Sequence, residues 1–150
     1  MSDATPAAGA QGPFQLAEWL LGEWRVTRVI NDGAGHFHGR ARFAPDPESP
    51  AIILWHEHGR LRLGAHDGPA GRTLRIEPAP TGAWQVRFAD GRPFHPLDLA
   101  SGGDDVDHLC GADTYRGHYE LQPPDRFTVA WRVTGPAKDD LIETVYERAA

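Results

Sequence analysis

Several things are scarce in this 150-residue chain, and each scarcity excludes something. There is one cysteine, Cys110, so no disulfide can form within the chain, and a reducing cytoplasm is the expected setting. Lys138 is the only lysine, so arginine carries almost all of the positive charge. Arginine keeps its charge when buried and forks onto carboxylates or phosphates. The formal net charge is −6, which argues against a nucleic-acid partner, since phosphate backbones reward a basic face. No apolar run approaches the ~20 residues of a membrane helix. No basic stretch followed by an apolar run marks a signal peptide, so none is expected.

What is present is a globular composition, 40% hydrophobic and 24% charged. A chain of this length buries about 70% of its unfolded surface. Residues 1–13, rich in Ala, Gly and Pro and without periodicity, are expected to be a disordered tail. Residues 14–150 then form a single domain. Phe14, Ala17, Leu20 and Leu21 share one helical face, and Gly22 ends that helix.

After Trp24 the period changes to two. Trp24–Thr27, His36–Phe43, Ile52–His58, Leu61–Ala65, Leu74–Ile76, Trp84–Phe88, His108–Cys110, Tyr115–Leu121, Phe127–Val133 and Leu141–Arg148 read as short strands. Turn signals separate them: Asn31-Asp32-Gly33, a pivot at Gly59, Asp90-Gly91, and Gly135-Pro136. With no room for crossover helices, the sheet must be antiparallel. About ten strands in a meander avoid exposed edges by closing. The expected fold is therefore all-β, an antiparallel closed barrel with one short N-terminal helix.

The stretch Asp90–Tyr119 concentrates three of the eight histidines, the cysteine and two of the three tyrosines, and reads as a chemical site in one hairpin. His108 and Cys110 are two apart and share a strand face. With His95 they form a possible His/His/Cys zinc set; equally, the cysteine is a small buried hydrophobe and the histidines satisfy backbone carbonyls. A nucleophilic Cys110 oriented through Asp107 or Asp113 is a further option, disfavoured by the adjacency of the pair.

Acid–base work needs neither metal nor nucleophile. His95, His108, Asp113 and Tyr115 are the candidate catalytic groups. Asp113, Tyr115, Gly117 and Tyr119 share a parity, with His118 opposite. The same groups also suit a buried hydrogen-bond network. Arg92 beside its turn is a candidate anion clamp, and Cys110 and Tyr119 candidate ligand contacts. Trp55, Trp84 and Trp131 are candidate cavity walls, while Trp19 and Trp24 close an end or fill the core. His36 and His38 share a face with Arg40 and Arg42 and belong outside. The side taken by His56 and His58 is open.

Gly22-Glu23-Trp24 on the first strand, with Arg148 near the end of the last, resembles the calycin superfamily of lipocalin-like barrels. There, an arginine lies across the tryptophan that closes one end. More specifically, L-L-G-E-W (20–24), G-R-A-R-F (39–43), E-H-G (57–59), F-A-D-G-R-P-F-H (88–95), H-L-C-G-A-D-T-Y-R-G-H-Y (108–119), W-R-V-T-G-P-A-K-D (131–139) and T-V-Y-E-R (144–148) resemble the bacterial and fungal domain of unknown function family 6314. That resemblance implies a barrel and brings no activity.

The function expected from these readings is binding of a small, partly polar organic molecule in the barrel. Acid–base chemistry of isomerase, cyclase or hydrolase type is possible on it, with no membrane partner and no cofactor. The alternatives are a zinc- or haem-binding barrel, the latter without a motif of its own, and a structural module with a filled interior.

Overall fold

The computed structural model describes residues 13–149, with side chains from Leu16 onward. The expected tail lies outside them except for Pro13, which opens helix α1 (Pro13–Leu20). The Phe14 side chain also lies outside. Leu16 and Leu20 are the buried contacts of α1, with Ala17 and Leu21 packed beside them.

Ten strands follow: β1 (Gly22–Ile30), β2 (Gly35–Asp46), β3 (Ser49–Leu63), β4 (His66–Pro78), β5 (Trp84–Phe88), β6 (Pro93–Leu97), β7 (Gly103–Cys110), β8 (Asp113–Gln122), β9 (Arg126–Gly135) and β10 (Lys138–Arg148). All pair antiparallel in the order β6-β5-β4-β3-β2-β1-β10-β9-β8-β7, a nearly closed barrel. The remaining seam lies between β6 and β7. Pro93 and Pro96 on β6 have no N–H to donate, so that strand can pair on β5 but cannot extend the sheet. The seam is bridged at one end, where the Asp98 N–H donates to Asp104 Oδ2 at 2.9 Å.

Period-two alternation places the core. Trp24 and Val26, Phe37, Ala41 and Phe43, Trp55, Leu74 and Ile76, Tyr119 and Leu121, and Phe127 to Val133 on alternate positions all point inward. Asn31-Asp32-Gly33 makes the β1–β2 turn, with Asn31 and Asp32 at φ 50° and 56°, a conformation asparagine and aspartate tolerate.

Two expectations are corrected. Gly59 is no turn: β3 runs through it as one strand to Leu63, and the chain reverses at Gly64-Ala65 into β4. Gly59 pairs with Gly39 across β2 and β3, and a Cβ on either would strike the partner strand's backbone, so glycine is there for close approach. Second, β6 was not foreseen as a strand, because its two prolines mask it. The strand count agrees with expectation only because one strand was split and another missed.

One end of the barrel is sealed by α1. Gly22, at φ +115°, turns the chain out of the helix and delivers Trp24 to the floor, fully buried. The Trp24 indole N–H donates to Leu20 O at 2.9 Å. The Arg148 guanidinium lies 4.1 Å from the Trp24 ring centroid and donates to Trp19 O, Leu21 O and Asp125 Oδ1. A cation thus covers the indole while satisfying carbonyls at the helix end.

Candidate functional site

Inside the barrel, above this floor, is a charged cluster that the sequence reading did not single out. Its centre is Glu57 on β3, 1% exposed. Arg28 Nη2 donates to Glu57 Oε1 at 2.9 Å and Arg72 Nε to the same oxygen at 3.2 Å. Trp55 Nε1 donates to Oε2 at 2.9 Å, and the Tyr146 hydroxyl donates to the same oxygen. Arg28 also donates from Nε to Thr144 Oγ1 at 2.8 Å. The sheet register builds this cluster directly: Arg28 lies opposite Thr144, and Glu57 opposite Arg72.

Burial alone would raise the Glu57 carboxyl. The Arg72 and Arg28 guanidiniums and the Tyr146 hydrogen bond outweigh it and hold the group at about 2, so it is a carboxylate at neutral pH. Burial and the adjacent carboxylate push the Tyr146 phenol upward. Two guanidiniums therefore face one carboxylate, leaving one surplus positive charge in the interior. Each also lies near an aromatic ring, Arg28 at 5.1 Å from Phe37 and Arg72 at 5.6 Å from Trp55.

Two hollows meet at these arginines. One, of about 140 Å³, is walled by Phe94, Tyr115, Trp131, Ile142 and Tyr146. The other, of about 170 Å³, is walled by Ile30, Phe37, Leu61 and Ala70. Arg28 and Arg72 line both. Solvent reaches them because β5 pairs with β4 only from Leu74 onward. The outer edge of β4 before Leu74 has no strand beside it, and the Arg72 side chain is 40% exposed there.

Of the expected site residues, His95, His108, Tyr115, Tyr119 and Trp131 do gather, around Phe94. A bulge causes this: Val86 pairs with His95 and Arg87 with Pro93, so Phe94 is the extra residue and turns inward beside His95. Phe94 stacks on Trp131 with centroids 5.2 Å apart and planes at 14°. Gly117 lets Trp131 lie flat on β8, since a Cβ there would stand 2.7 Å from the indole. His95 belongs to β6, across the seam from the β7–β8 hairpin, so the expectation of a single hairpin is corrected.

His95 is buried, and its Nδ1–H donates to Pro96 O at 2.8 Å. Burial lowers it to about 4, so it is neutral and its Nε2 accepts from the Tyr119 hydroxyl at 3.1 Å. Burial likewise pushes the Tyr119 phenol up. Both His95 nitrogens are thus engaged, and the pair sits behind the cavity wall. His108 is half-buried, edge-on to Phe94 and Tyr115.

The remaining expected residues lie at the rim or elsewhere. Asp113 pairs with Lys138 at 3.2 Å. Cys110 is exposed at the β7–β8 turn, away from His95. Arg92 is exposed and held by Asp90 at 2.7 Å. Among the described residues no three His, Cys, Asp or Glu side chains converge on a metal position. Trp55 backs the Glu57 cluster. Trp84 instead lines a groove of about 530 Å³ between α1 and the loops, which is apolar but for Glu18 at its rim. His36, His38, His56 and His58 all face outward.

A family model matches residues 20–148. The chain belongs to DUF6314, a family of unknown function. Among solved structures it is similar to the S-type phycobiliprotein lyase CPES from Guillardia theta. The TM-score is 0.68 at 10% identity, over 95% of this chain and 96% of that one. A redesigned β-barrel, mFAP1, bound to DFHBI, aligns with a TM-score of 0.49 at 16% identity, over 88% of this chain and 97% of that one. No curated protein matches the sequence significantly. The likeness to the lyase is one of fold.

Proposed function

We propose that this protein binds a small, partly polar organic molecule inside its barrel. The observation that carries the reading is the hollow of about 140 Å³ walled by Phe94, Tyr115, Trp131 and Tyr146 with two guanidiniums on its edge. A concave, mostly aromatic wall with a few convergent polar groups is the usual form of a ligand site. The larger groove beside Trp84 lacks such groups. The lyase of similar fold is named for work on a phycobiliprotein, which suits a barrel used as a small-molecule holder.

Native mass spectrometry of freshly purified protein, beside its denatured mass, tests the proposal. The wild type is expected to retain a small organic mass or to take one up from a fragment mixture. The Gly117→Ala variant, which drives Trp131 into the hollow, is expected to lose it. Retention by the variant equal to that of the wild type contradicts the assignment to this hollow.

The finer reading is acid–base chemistry on the bound molecule, as in an isomerase, cyclase or hydrolase. Tyr115 faces the hollow with His108 beside it, and Lys138 pairs with Asp113 at 3.2 Å on the rim. His95 and Tyr119 then act as positioning residues behind Phe94. With a substrate identified, Tyr115→Phe should slow turnover about a hundredfold and leave binding within a few-fold. Unchanged turnover removes the catalytic reading and leaves the binding one.

A further inference from the structure

The interior charge is unbalanced in one direction, and the imbalance lies at the mouth of the aromatic hollow. Arg28 on β1 and Arg72 on β4 both point inward, and among the described residues Glu57 is the one carboxylate that meets them. The other titratable groups nearby do not offset the surplus. His95 is neutral, and Tyr119 and Tyr146 are phenols held in their neutral form. Asp113 is already paired with Lys138 at the rim. Both Glu57 oxygens accept two donors each, so the carboxylate is saturated. A guanidinium has more N–H donors than either arginine uses on Glu57, Thr144 and Tyr146. Unpaired charge at a partly desolvated position is costly, and a bound anion removes the cost.

The hollow defines the rest of the molecule. A dry cavity of about 150 Å³ accepts benzene, whereas drug-sized ligands need about 300 Å³ or more. The hollow here measures about 140 Å³, and its wall includes Phe94, stacked on Trp131, with Tyr115 edge-on to the indole. One planar ring fills it. The arginines stand at its edge, between it and the second hollow, where a substituent on that ring would emerge.

Resting on the cavity-binding reading above, we infer that the ligand is a single-ring aromatic carboxylate. Its ring packs against Phe94, Trp131 and Tyr115, and its carboxylate is held by the Arg28–Arg72 pair. Arg72 is the gate-side contact because it is the more exposed of the two, 40% against 14% for Arg28. Planar guanidiniums match a carboxylate in a fork that lysine cannot reproduce.

The test is calorimetric titration of wild type, Arg72→Gln and Arg72→Lys with sodium benzoate and with benzamide, its neutral isostere. Thermal melting checks that each variant folds. Benzoate is expected to bind wild type about tenfold or more tighter than benzamide, the worth of one charge-assisted contact. In Arg72→Gln that preference should fall to about threefold or less, with benzamide binding unchanged, and Arg72→Lys should fall between. Equal affinity of benzoate and benzamide for wild type overturns the anion inference and leaves cavity binding standing. Binding of neither probe overturns both. A preference that survives Arg72→Gln undiminished overturns the role given to the arginine. If the glutamine variant does not fold, the wild-type comparison and the lysine variant decide.

Discussion

Both ends of this barrel carry an arginine over a tryptophan, and the two arginines do different things. At the sealed end, Arg148 covers Trp24 at 4.1 Å and its donors all go to the chain: two helix-end carbonyls and Asp125. At the open end, Arg72 covers Trp55 at 5.6 Å, shares one carboxylate with Arg28, and faces a hollow. Similar residue pairs thus give a plug, where all three guanidinium nitrogens of Arg148 donate to the chain, and a receptor, where Arg72 donates from Nε to Glu57 and borders a hollow. The number of guanidinium nitrogens engaged by the chain, not residue type, separates the two arginines.

The sharpest way to separate the ends is to break each centre. Trp24→Ala removes a fully buried indole from the floor and should cost about 3–5 kcal/mol in urea denaturation. Benzoate should not recover more of that loss than it adds to wild type. Glu57→Gln leaves two guanidiniums without their carboxylate and should also cost about 3 kcal/mol or more. Here added benzoate should restore more stability than it adds to wild type, because the vacancy it fills is now larger. Equal benzoate effects in both variants would erase the distinction between the ends.

Acid should act on the open half in two steps. His95 is held at about 4 in the fold against 6.5 outside it, so the unfolded chain binds its proton first. Stability is then full above about pH 6.5 and falls as pH drops toward 4, by on the order of 3 kcal/mol. Glu57, lowered from 4.5 to about 2, adds a second loss as pH falls through that lower window. His118 works the other way: its bond to Asp105 raises it, so its small contribution is present at low pH and lost as pH rises through its folded value. Denaturation of His95→Gln across pH 4–7 should show a flatter profile than wild type. A profile with unchanged slope assigns that limb elsewhere.

The smallest effects belong to the rim. Cys110→Ser and Arg92→Ala, both exposed, should change stability by about 0.5 kcal/mol or less and leave benzoate affinity unaltered. A large loss of affinity would move the site toward the β7–β8 turn for Cys110→Ser, or toward the β5–β6 loop for Arg92→Ala.

The plug was legible in the sequence and the receptor was not. Gly22 reads as the helix stop, and the resemblance to calycin barrels pairs Trp24 with Arg148. The inward aromatic positions followed from alternation. His95, His108 and Tyr115 were found by their density and Trp131 as a candidate cavity wall, and these four do gather.

Arg28, Glu57 and Arg72 were passed over because charge is normally read as solvated surface. Yet Arg28 shares parity with Trp24 and Val26, Glu57 with Trp55, Arg72 with Leu74 and Ile76, and Thr144 with Tyr146. Extending each strand's parity past its last apolar residue would have placed all of them inside. Phe94 could not be placed that way, because it faces inward through a bulge that no period predicts. Gly59 misled because glycine usually marks a turn, and its partnership with Gly39 depends on the register.

The most direct test of the account follows the five indole N–H signals by nuclear magnetic resonance as benzoate is added, with each signal assigned by a Trp→Phe variant. The account predicts that Trp131 and Trp55 shift together, while Trp24 at the floor and Trp84 in the outer groove stay where they are. Movement of Trp84 alone would place the ligand in the groove beside α1 and contradict the interior site.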